Sequence, residues 1–462
     1  MYADEKKIAL VTTFLGLVFG ALLVFITPPF QAADEDSHFK RAFAISELNL
    51  LPDEAVGQGA GHFFPAAILD FETAHRDLID NFRHRYSWRR LQRWSAEVQI
   101  DYSQRRLGVY SAAVLHPYLY LPQAAGIALG KALGNNTPLT LMQSGRLANL
   151  IFFWCCVGLA LLIIPIGRMV LALLSLMPMT FSLTSSLSYD AVALGISALL
   201  AAVLLRLALD PRIEKIGWTQ MVPAALLSIY LFELKHVYFW FVLLWFLIPS
   251  RKFSSRWIRW GSLGLVVAAS LILHTAWRAA WDFTAVYPYS PAYHEQLNFI
   301  SNKPLQYGLI WWQSLLRGEI FQLKDFVGNL GWRDNNLPLP FIQLYWLGLI
   351  AAAAVDQGPG NGLDRRGRLL VLGIGFLITF SVSTALYLIW TALPNIGGIG
   401  YPHIFGVQGR YFIPLGLLLA PLLGGTRLAV GVRPDLKALL VLGAGLLSIS
   451  LTIFFTLLRY YY

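Results

Sequence analysis

Charged residues are scarce in this chain. They make up 13% of its 462 residues, whereas a soluble globular protein carries about 25%. Hydrophobic residues make up 56%, and the runs 8–28, 263–273 and 439–458 contain no charge. The first and last runs are close to the ~20 apolar residues that a spanning helix needs, and none alternates as the strands of a membrane β-barrel do. The composition excludes a soluble domain and predicts an all-α polytopic membrane protein.

Cysteine is also scarce. The chain has two, Cys155 and Cys156, adjacent within an apolar stretch. Neighbouring cysteines rarely pair, so a disulfide framework and a zinc site are excluded. Walker and Rossmann glycine motifs are absent as well. An apolar run that is too long for a signal peptide and lacks a small-residue cleavage site predicts that residues 1–28 are not removed.

Eleven membrane spans are predicted, near residues 8–28, 141–164, 168–186, 190–208, 218–234, 237–249, 257–281, 340–355, 369–391, 411–425 and 438–458. Segment 218–249 is alternatively one bent pair of half-helices. Segment 110–134 is apolar enough to cross, but Pro117, Pro122, Gly126 and Gly130 favour an interfacial or re-entrant piece. With 110–134 left out, most Lys and Arg residues of the short turns lie on the side of the N-terminus. The positive-inside rule therefore predicts a cytoplasmic N-terminus and accounts for the net charge of +10.

This topology divides the chain into three parts. Residues 1–281 form a seven-span module with a large first extracytoplasmic loop at 29–140; residues 282–339 form a second extracytoplasmic loop; residues 340–462 form a four-span bundle. Gly360 is expected to be cytoplasmic and Asn395 extracytoplasmic. Because the cytoplasmic turns are short, we expect the chemistry on the extracytoplasmic face, where nucleotide sugars are not available.

An acidic cluster follows the first span. Asp34, Glu35, Asp36 and His38 lie within five residues, and their like charges repel unless a cation is bound. One interpretation is a solvated turn that caps a helix. The other is a general base or a cation site at the membrane edge, with a divalent metal as one candidate cation.

The motif 406–412 (GVQGRYF) precedes the tenth span. Arg410 at a membrane entrance can simply extend its charge toward water. The flanking glycines, with Gln408 and Tyr411, also suit a backbone that approaches an anion, and a guanidinium binds phosphate through two hydrogen bonds.

Three further polar motifs interrupt the apolar sequence. Asp190 begins the fourth span and is an ordinary helix cap by pattern alone. Glu233-Leu234-Lys235-His236 lies at a span end, where ionisable groups are costly and are candidates for function. Lys235 pairs with Glu233 or meets a lipid-linked phosphate. Residues 329–336 form a polar turn.

Segment 82–94 mixes arginine and histidine with aromatic residues. An amphipathic helix lying on anionic lipid headgroups explains this composition. A nucleic-acid partner is not expected, because the segment is predicted to be extracytoplasmic.

The ordered motifs resemble those of the DUF2142 family of bacterial membrane proteins, over residues 20–425. The matching motifs are Asp34-Glu35-x-x-His38, Arg41-Ala42-Phe43, Gly145-Arg146-Leu147-Ala148-Asn149, Pro178-Met179, Ser188-Tyr189-Asp190, Leu330-Gly331-Trp332-x-Asp334 and Gly406-Val407-Gln408-Gly409-Arg410-Tyr411. Ala32-Ala33 departs from the prolines usual in the family. In layout the family is similar to the C-type (GT-C) glycosyltransferases, which have a seven-span module, an acidic residue after the first span and surface helices in the first loop.

The resemblance implies a membrane glycosyltransferase in the bacterial inner (plasma) membrane. Such an enzyme would move a sugar from a polyprenyl-phosphate carrier to a cell-envelope glycan. In that hypothesis Asp34 or Glu35 is the catalytic base. The substrate-binding residues are His38, Asp190, Lys235, Gln408, Arg410 and Tyr411. The alternatives are a transporter or flippase of lipid-linked sugars and a non-catalytic factor in envelope polysaccharide assembly.

Overall fold

The computed structural model describes residues 2–56, 59–280, 291–356, 362–425 and 433–462, which are mostly helical. In the first part of the chain the α-helices are α1 (Tyr2–Ile26), α2 (Glu35–Ser46), α3 (Ala66–Thr73), α4 (Trp88–Gln92), α5 (Leu121–Ala132), α6 (Pro138–Ile163), α7 (Arg168–Ser175), α8 (Pro178–Thr184) and α9 (Asp190–Leu209). The later helices are α10 (Trp218–Leu234), α11 (Arg256–Ala279), α12 (Pro291–Asn302), α13 (Pro304–Leu316), α14 (Leu323–Val327), α15 (Leu339–Val355), α16 (Arg365–Leu386), α17 (Leu419–Leu423) and α18 (Pro434–Tyr460).

Shorter elements connect these helices. The 3-10 helices are Arg76–Leu78, Ser111–Val114, Pro117–Tyr120, His236–Leu247, Ser250–Lys252 and Gly409–Leu418, and π-helical turns cover Arg93–Glu97 and Tyr387–Thr391. The strands are β1 (Glu54–Val56), β2 (Gly59–Pro65), β3 (Arg105–Val109), β4 (Asn329–Leu330) and β5 (Asn335–Asn336). Strands β1, β2 and β3 form one antiparallel sheet in that order, and β4 pairs with β5. The all-α prediction therefore holds for most of the described chain but missed a small sheet in the first loop.

Among the described residues, six helices are long and apolar enough to cross a membrane: Lys6–Ile26, Pro138–Ile163, Asp190–Leu209, Arg256–Ala279, Arg365–Thr391 and Asp435–Tyr460. They coincide with six of the predicted spans. The other five predicted segments contain shorter helical elements, and the count of eleven spans stays a prediction. Within the bundle α6 packs between α1 and α9, α18 packs on α1, and α10 packs between α9 and α11.

Two ambiguous segments have defined shapes. Segment 110–134 is α-helical over Leu121–Ala132, about 18 Å of helix, which is shorter than the ~30 Å of a hydrocarbon core. After α10 the chain returns to the residues that precede that helix, since the Ile216 amide donates to the Lys252 carbonyl at 2.6 Å. Segment 218–249 is therefore an out-and-back pair of helical elements. Gly360 lies outside the described residues, and Asn395 is exposed.

The first loop differs from the predicted set of surface helices. Most residues of α2 are buried, and α5 packs on both α2 and α6. The prediction of one amphipathic helix over residues 82–94 is wrong, because the α-helix begins only at Trp88 and passes into a π-helical turn at Arg93. Its start instead joins the end of α18, where the Tyr86 amide donates to the Tyr460 carbonyl at 2.7 Å.

A buried ion pair joins the first loop to the bundle. Arg146, on α6, and Glu35, at the start of α2, have side chains that are 1% and 0% exposed. Arg146 donates from Nε and Nη2 to the two Glu35 oxygens at 2.8 and 2.6 Å. It also donates to the carbonyl of Val24 in the last turn of α1 and to those of Thr27 and Pro28 just after it, and a carbonyl in the last turn of a helix has no partner within the helix.

Both oxygens of the Glu35 carboxylate accept hydrogen bonds from the backbone as well as from Arg146. Its Oε2 accepts from the Phe30 amide at 3.1 Å, and its Oε1 accepts from the Leu187 amide at 3.0 Å. The pair therefore holds together the end of α1, the start of α2, α6 and the turn before α9. This is the environment of a structural carboxylate, since each oxygen already accepts two hydrogen bonds.

The variants Glu35→Gln and Asp34→Asn are predicted to differ in stability, although they alter adjacent carboxylates. Glu35→Gln leaves a buried guanidinium without its counter-charge, which costs about 3–5 kcal/mol in the free energy of unfolding. Asp34 is half exposed, and exposed ion pairs contribute about 1 kcal/mol or less. Thermal unfolding of the purified protein in detergent measures both. Equal melting temperatures for the two variants would contradict the structural role of Glu35.

Candidate functional site

Four charged residues from distant parts of the chain meet at one end of the bundle. Arg410 Nη2 lies 3.0 Å from Asp34 Oδ2, and Arg410 Nε lies 3.8 Å from Asp190 Oδ2. Lys235 Nζ lies 2.5 Å from Asp190 Oδ1. We call Asp34, Asp190, Lys235 and Arg410 the ion cluster. The predicted topology places all four on the extracytoplasmic side, and their contact means that they share one side.

Each member occupies the end of an element. Asp34 precedes α2, Asp190 begins α9, Lys235 follows α10, and Arg410 begins the 3-10 helix Gly409–Leu418. Helix ends at a membrane boundary can present charges to water while their apolar turns remain in the bilayer. The cluster therefore gathers its four charges at the ends of elements.

Asp34 is the exposed member of the cluster. Its side chain is 52% exposed, whereas the other three side chains are largely buried. Its backbone is left-handed, with a φ of 64°, a conformation that costs energy for residues other than glycine and that clusters at functional sites. Of the two acidic residues predicted as bases, Asp34 has the access that a base needs, and Glu35 does not.

The acidic motif does not behave as one cation site. Asp34 pairs with Arg410, Glu35 pairs with Arg146, and Asp36 lies 4.0 Å from Lys40. Burial raises the pKa of Asp36, and the Lys40 charge partly offsets this. Each carboxylate thus faces a different side-chain cation. Within the described residues no group of three His, Cys, Asp or Glu side chains could hold a metal ion.

Arg410 is positioned by the glycine before it. A Cβ atom at Gly409 would collide with the backbone of Gln322, Asp325 and Phe326 around α14. This close approach fixes the start of the 3-10 helix and directs Arg410 toward Asp34. Arg410 Nε makes no hydrogen bond within the described structure, although it is buried.

Lys235 lies among aromatic rings. Its Nζ is 4.7 Å from the ring centroid of Tyr411, 5.3 Å from that of Tyr189 and 5.6 Å from that of Tyr238, all within the range of cation–π attraction. The Tyr238 hydroxyl donates to the Tyr411 carbonyl at 2.8 Å, which joins the turn after α10 to the Arg410 segment. Lys235 pairs with Asp190, so the predicted pairing with Glu233 is wrong.

The remaining predicted residues border the cluster. His38 Nδ1 is 2.8 Å from the Tyr120 hydroxyl, and the His38 ring meets Tyr189 edge-on at 5.3 Å. Burial lowers the pKa of His38 to about 4, so the imidazole is neutral at pH 7. Gln408 and Arg410 line a small recess with Asp325.

A cavity of about 490 Å³ opens beside the ion cluster. Lys235, Tyr189 and Tyr411 of the cluster region line it, and much of its wall is apolar, from Val114, Leu115, Leu119, Leu234, Val237, Val382, Ala385, Leu386 and Ile389. We call this the apolar cavity. The Lys235 cation together with aliphatic walls suits an amphipathic ligand with an anionic head.

A second polar group in this cavity was only partly predicted. Glu233, His236 and His274 all line it. His236 Nε2 is 3.1 Å from His274 Nδ1, and His274 Nδ1 is 3.9 Å from Glu233 Oε2. The Glu233 side chain is 2% exposed, and its Oε1 has no hydrogen-bond partner in the described part of the chain. The sequence motif at 233–236 indicated two of these residues, but an isolated His274 within an apolar helix gave no signal.

Comparison with known proteins agrees with the ordered motifs. A family model described as "Predicted membrane protein (DUF2142)" matches residues 17–419, which include every member of the ion cluster. No curated protein and no solved structure matches the chain. Since the match covers most of the chain, this protein belongs to the DUF2142 family of predicted membrane proteins.

Proposed function

We propose that this protein is an inverting membrane glycosyltransferase that uses a polyprenyl-phosphate sugar as donor and a cell-envelope glycan as acceptor. In this proposal it lies in a bacterial inner membrane with its N-terminus in the cytoplasm, and its ion cluster faces the extracytoplasmic side. The observation that carries the proposal is that Lys235 belongs both to the ion cluster and to the lining of the apolar cavity. A prenyl chain would occupy the cavity, and its phosphate would lie beside Lys235 and Arg410.

Arg410 is the proposed phosphate clamp. Its guanidinium is fixed by Gly409, and its Nε has no hydrogen-bond partner in the described structure. A buried donor without a partner costs free energy until a ligand supplies an acceptor. A planar guanidinium can also bind two phosphate oxygens at once. Lys235, held by Asp190 at 2.5 Å, would add a second positive charge.

Asp34 is the proposed base. The acceptor hydroxyl oxygen would attack the anomeric carbon while its proton passes to Asp34, and the bond between that carbon and the phosphate oxygen would break. The products are the new glycosidic bond and a polyprenyl monophosphate, which has gained one negative charge. Protonated Asp34 no longer competes for Arg410, so the guanidinium can follow that charge onto the leaving phosphate.

The Arg410 variants test the clamp. Arg410→Ala should slow single-turnover transfer by about 30- to 1000-fold, because loss of one preorganised donor to a developing charge raises the barrier by about 2–4 kcal/mol. Arg410→Lys should keep part of the activity, since it retains the charge but not the planar fork. The assay uses purified protein in detergent, with a polyprenyl-phosphate sugar and extracted envelope glycan. Equal rates for Arg410→Ala and the unaltered protein would reject the clamp.

Asp34→Asn tests the base in the same assay. The amide keeps the shape of the side chain but cannot accept the proton, so transfer should fall by at least about 100-fold. Donor binding should persist, because the phosphate is assigned to Arg410 and Lys235. Asp53→Asn is the matched control, since Asp53 lies in the same loop outside the ion cluster and bonds the Asn49 amide and the Phe63 backbone. Transfer at the unaltered rate by Asp34→Asn would place the base elsewhere.

A lipid-sugar flippase is the second candidate, favoured by Glu233, His236 and His274 in the wall of the same cavity. Ionisable groups at membrane depth often mark a transport path. Detergent removes the two compartments that flipping requires. Transfer in detergent therefore supports the enzyme, whereas donor movement that occurs only in sealed vesicles, together with absent transfer, supports the flippase. Absence of both activities supports a non-catalytic assembly factor.

A further inference from the structure

A cleft of about 780 Å³ lies in the first loop and is separate from the apolar cavity. One wall comes from α3, through Ala67 and Asp70, and the opposite wall comes from α4 and the turn after it, through Arg89 and Arg93. No residue of the ion cluster lines it. The proposed reaction needs a site for the acceptor as well as for the donor, and neither the family description nor the ion cluster supplies one.

Two arginines of the cleft have no carboxylate partner among the described residues. Arg90 is neutralised by Asp77, with two hydrogen bonds of 2.9 Å. Arg89 and Arg93 are exposed, and the Arg93 guanidinium lies 5.8 Å from the centroid of the Trp94 ring. Guanidinium groups without a counter-charge are suited to carboxylates and phosphates, which they bind through two hydrogen bonds.

The rest of the lining suits hydroxyl groups. Gln99 and Gln104 provide amides, and Asp101 provides an exposed carboxylate. Hydrogen bonds from Ser103 lower the pKa of Asp101, so it stays ionised and accepts hydrogen bonds at neutral pH. Small residues of α3, such as Ala67, leave room for a ligand. The lining thus combines cations, amides and two carboxylates, Asp101 and the Arg106-paired Asp70, and so offers the donors and acceptors that a chain of charged sugars needs.

The cleft is connected to the ion cluster through two helices. Glu72 of α3 accepts from Lys40 of α2 at 2.7 Å, and α2 begins directly after Asp34. The side chain of Trp94, which lines the cleft, packs against Phe71 of α3, with ring centroids 5.1 Å apart. A glycan in the cleft would thus lie on the framework that positions the proposed base.

We propose that this cleft binds an anionic glycan, one that carries carboxylate or phosphate groups, through Arg89 and Arg93. Its role as acceptor site rests on the proposed function, but the binding itself does not. A lipid headgroup is the other anion available near a membrane. The exposed side chains of Phe82 and Trp88 would suit contact with lipid, whereas the amides that line the cleft suit hydrogen bonds to the hydroxyl groups of a sugar chain.

The experiment measures binding of hexagalacturonate, a uronate oligosaccharide, to the full-length protein in detergent, with neutral maltohexaose as reference. Arg89→Gln with Arg93→Gln should weaken hexagalacturonate binding by at least about tenfold, since two charge-assisted contacts are lost. Arg83→Gln with Arg85→Gln removes the same charge from the same loop outside the cleft and should change binding by less than about twofold. Ala67→Phe should also weaken binding, because it fills the cleft without altering charge.

Three results would overturn the cleft. The first is that both pairs of arginine substitutions weaken hexagalacturonate binding equally, and the second is that the protein binds both sugars equally. The third is that the Arg89→Gln and Arg93→Gln variant loses binding to anionic-lipid nanodiscs but keeps its binding to hexagalacturonate, which would identify a lipid surface. Failure of the proposed glycosyltransferase function can be distinguished from failure of the cleft proposal, because in that case transfer would be absent while hexagalacturonate binding persists. Failure of the cleft would leave polyprenyl monophosphate binding unchanged.

Discussion

The buried pair of Glu35 and Arg146 is the interaction on which the rest of the site depends. Arg146 lies within a membrane-spanning helix, where an unpaired charge is expensive, and it reaches both the carboxylate of Glu35 and the carbonyls that end α1. Glu35 in turn holds the turn before α9. Because Asp34 precedes Glu35 and Asp190 begins α9, this one pair sets the positions of two members of the ion cluster.

The ion cluster carries two positive and two negative charges, so its members compensate one another within the protein. In the proposed reaction the proton that Asp34 gains matches the negative charge that the phosphate gains, so the net charge of the occupied site does not change. Such a site avoids the cost of creating an uncompensated charge in a medium of low dielectric constant. The exposed position of Asp34 also leaves this proposed base accessible to an acceptor.

The sequence predicted the helical membrane class and the long spans because uninterrupted apolar runs have few other structures available. Arg146 appeared only within the family motif at 145–149, and no sequence pattern indicated that it pairs with Glu35. Contacts such as Arg410 with Asp34 join residues 376 positions apart and leave no local pattern. The sheet was missed because β1 and β3 are short, and the first-loop cleft was missed because it forms only when α3 and α4 face each other.

The central claim is that the ion cluster and the apolar cavity together bind a prenyl phosphate. Native mass spectrometry of the purified protein can compare a polyprenyl monophosphate with the polyprenol of the same length. The account predicts that the monophosphate binds at least about tenfold more tightly, because charge-assisted contacts add to the burial of the prenyl chain, and that Lys235→Gln removes most of this preference. Equal affinity for the two lipids in the unaltered protein would contradict the account.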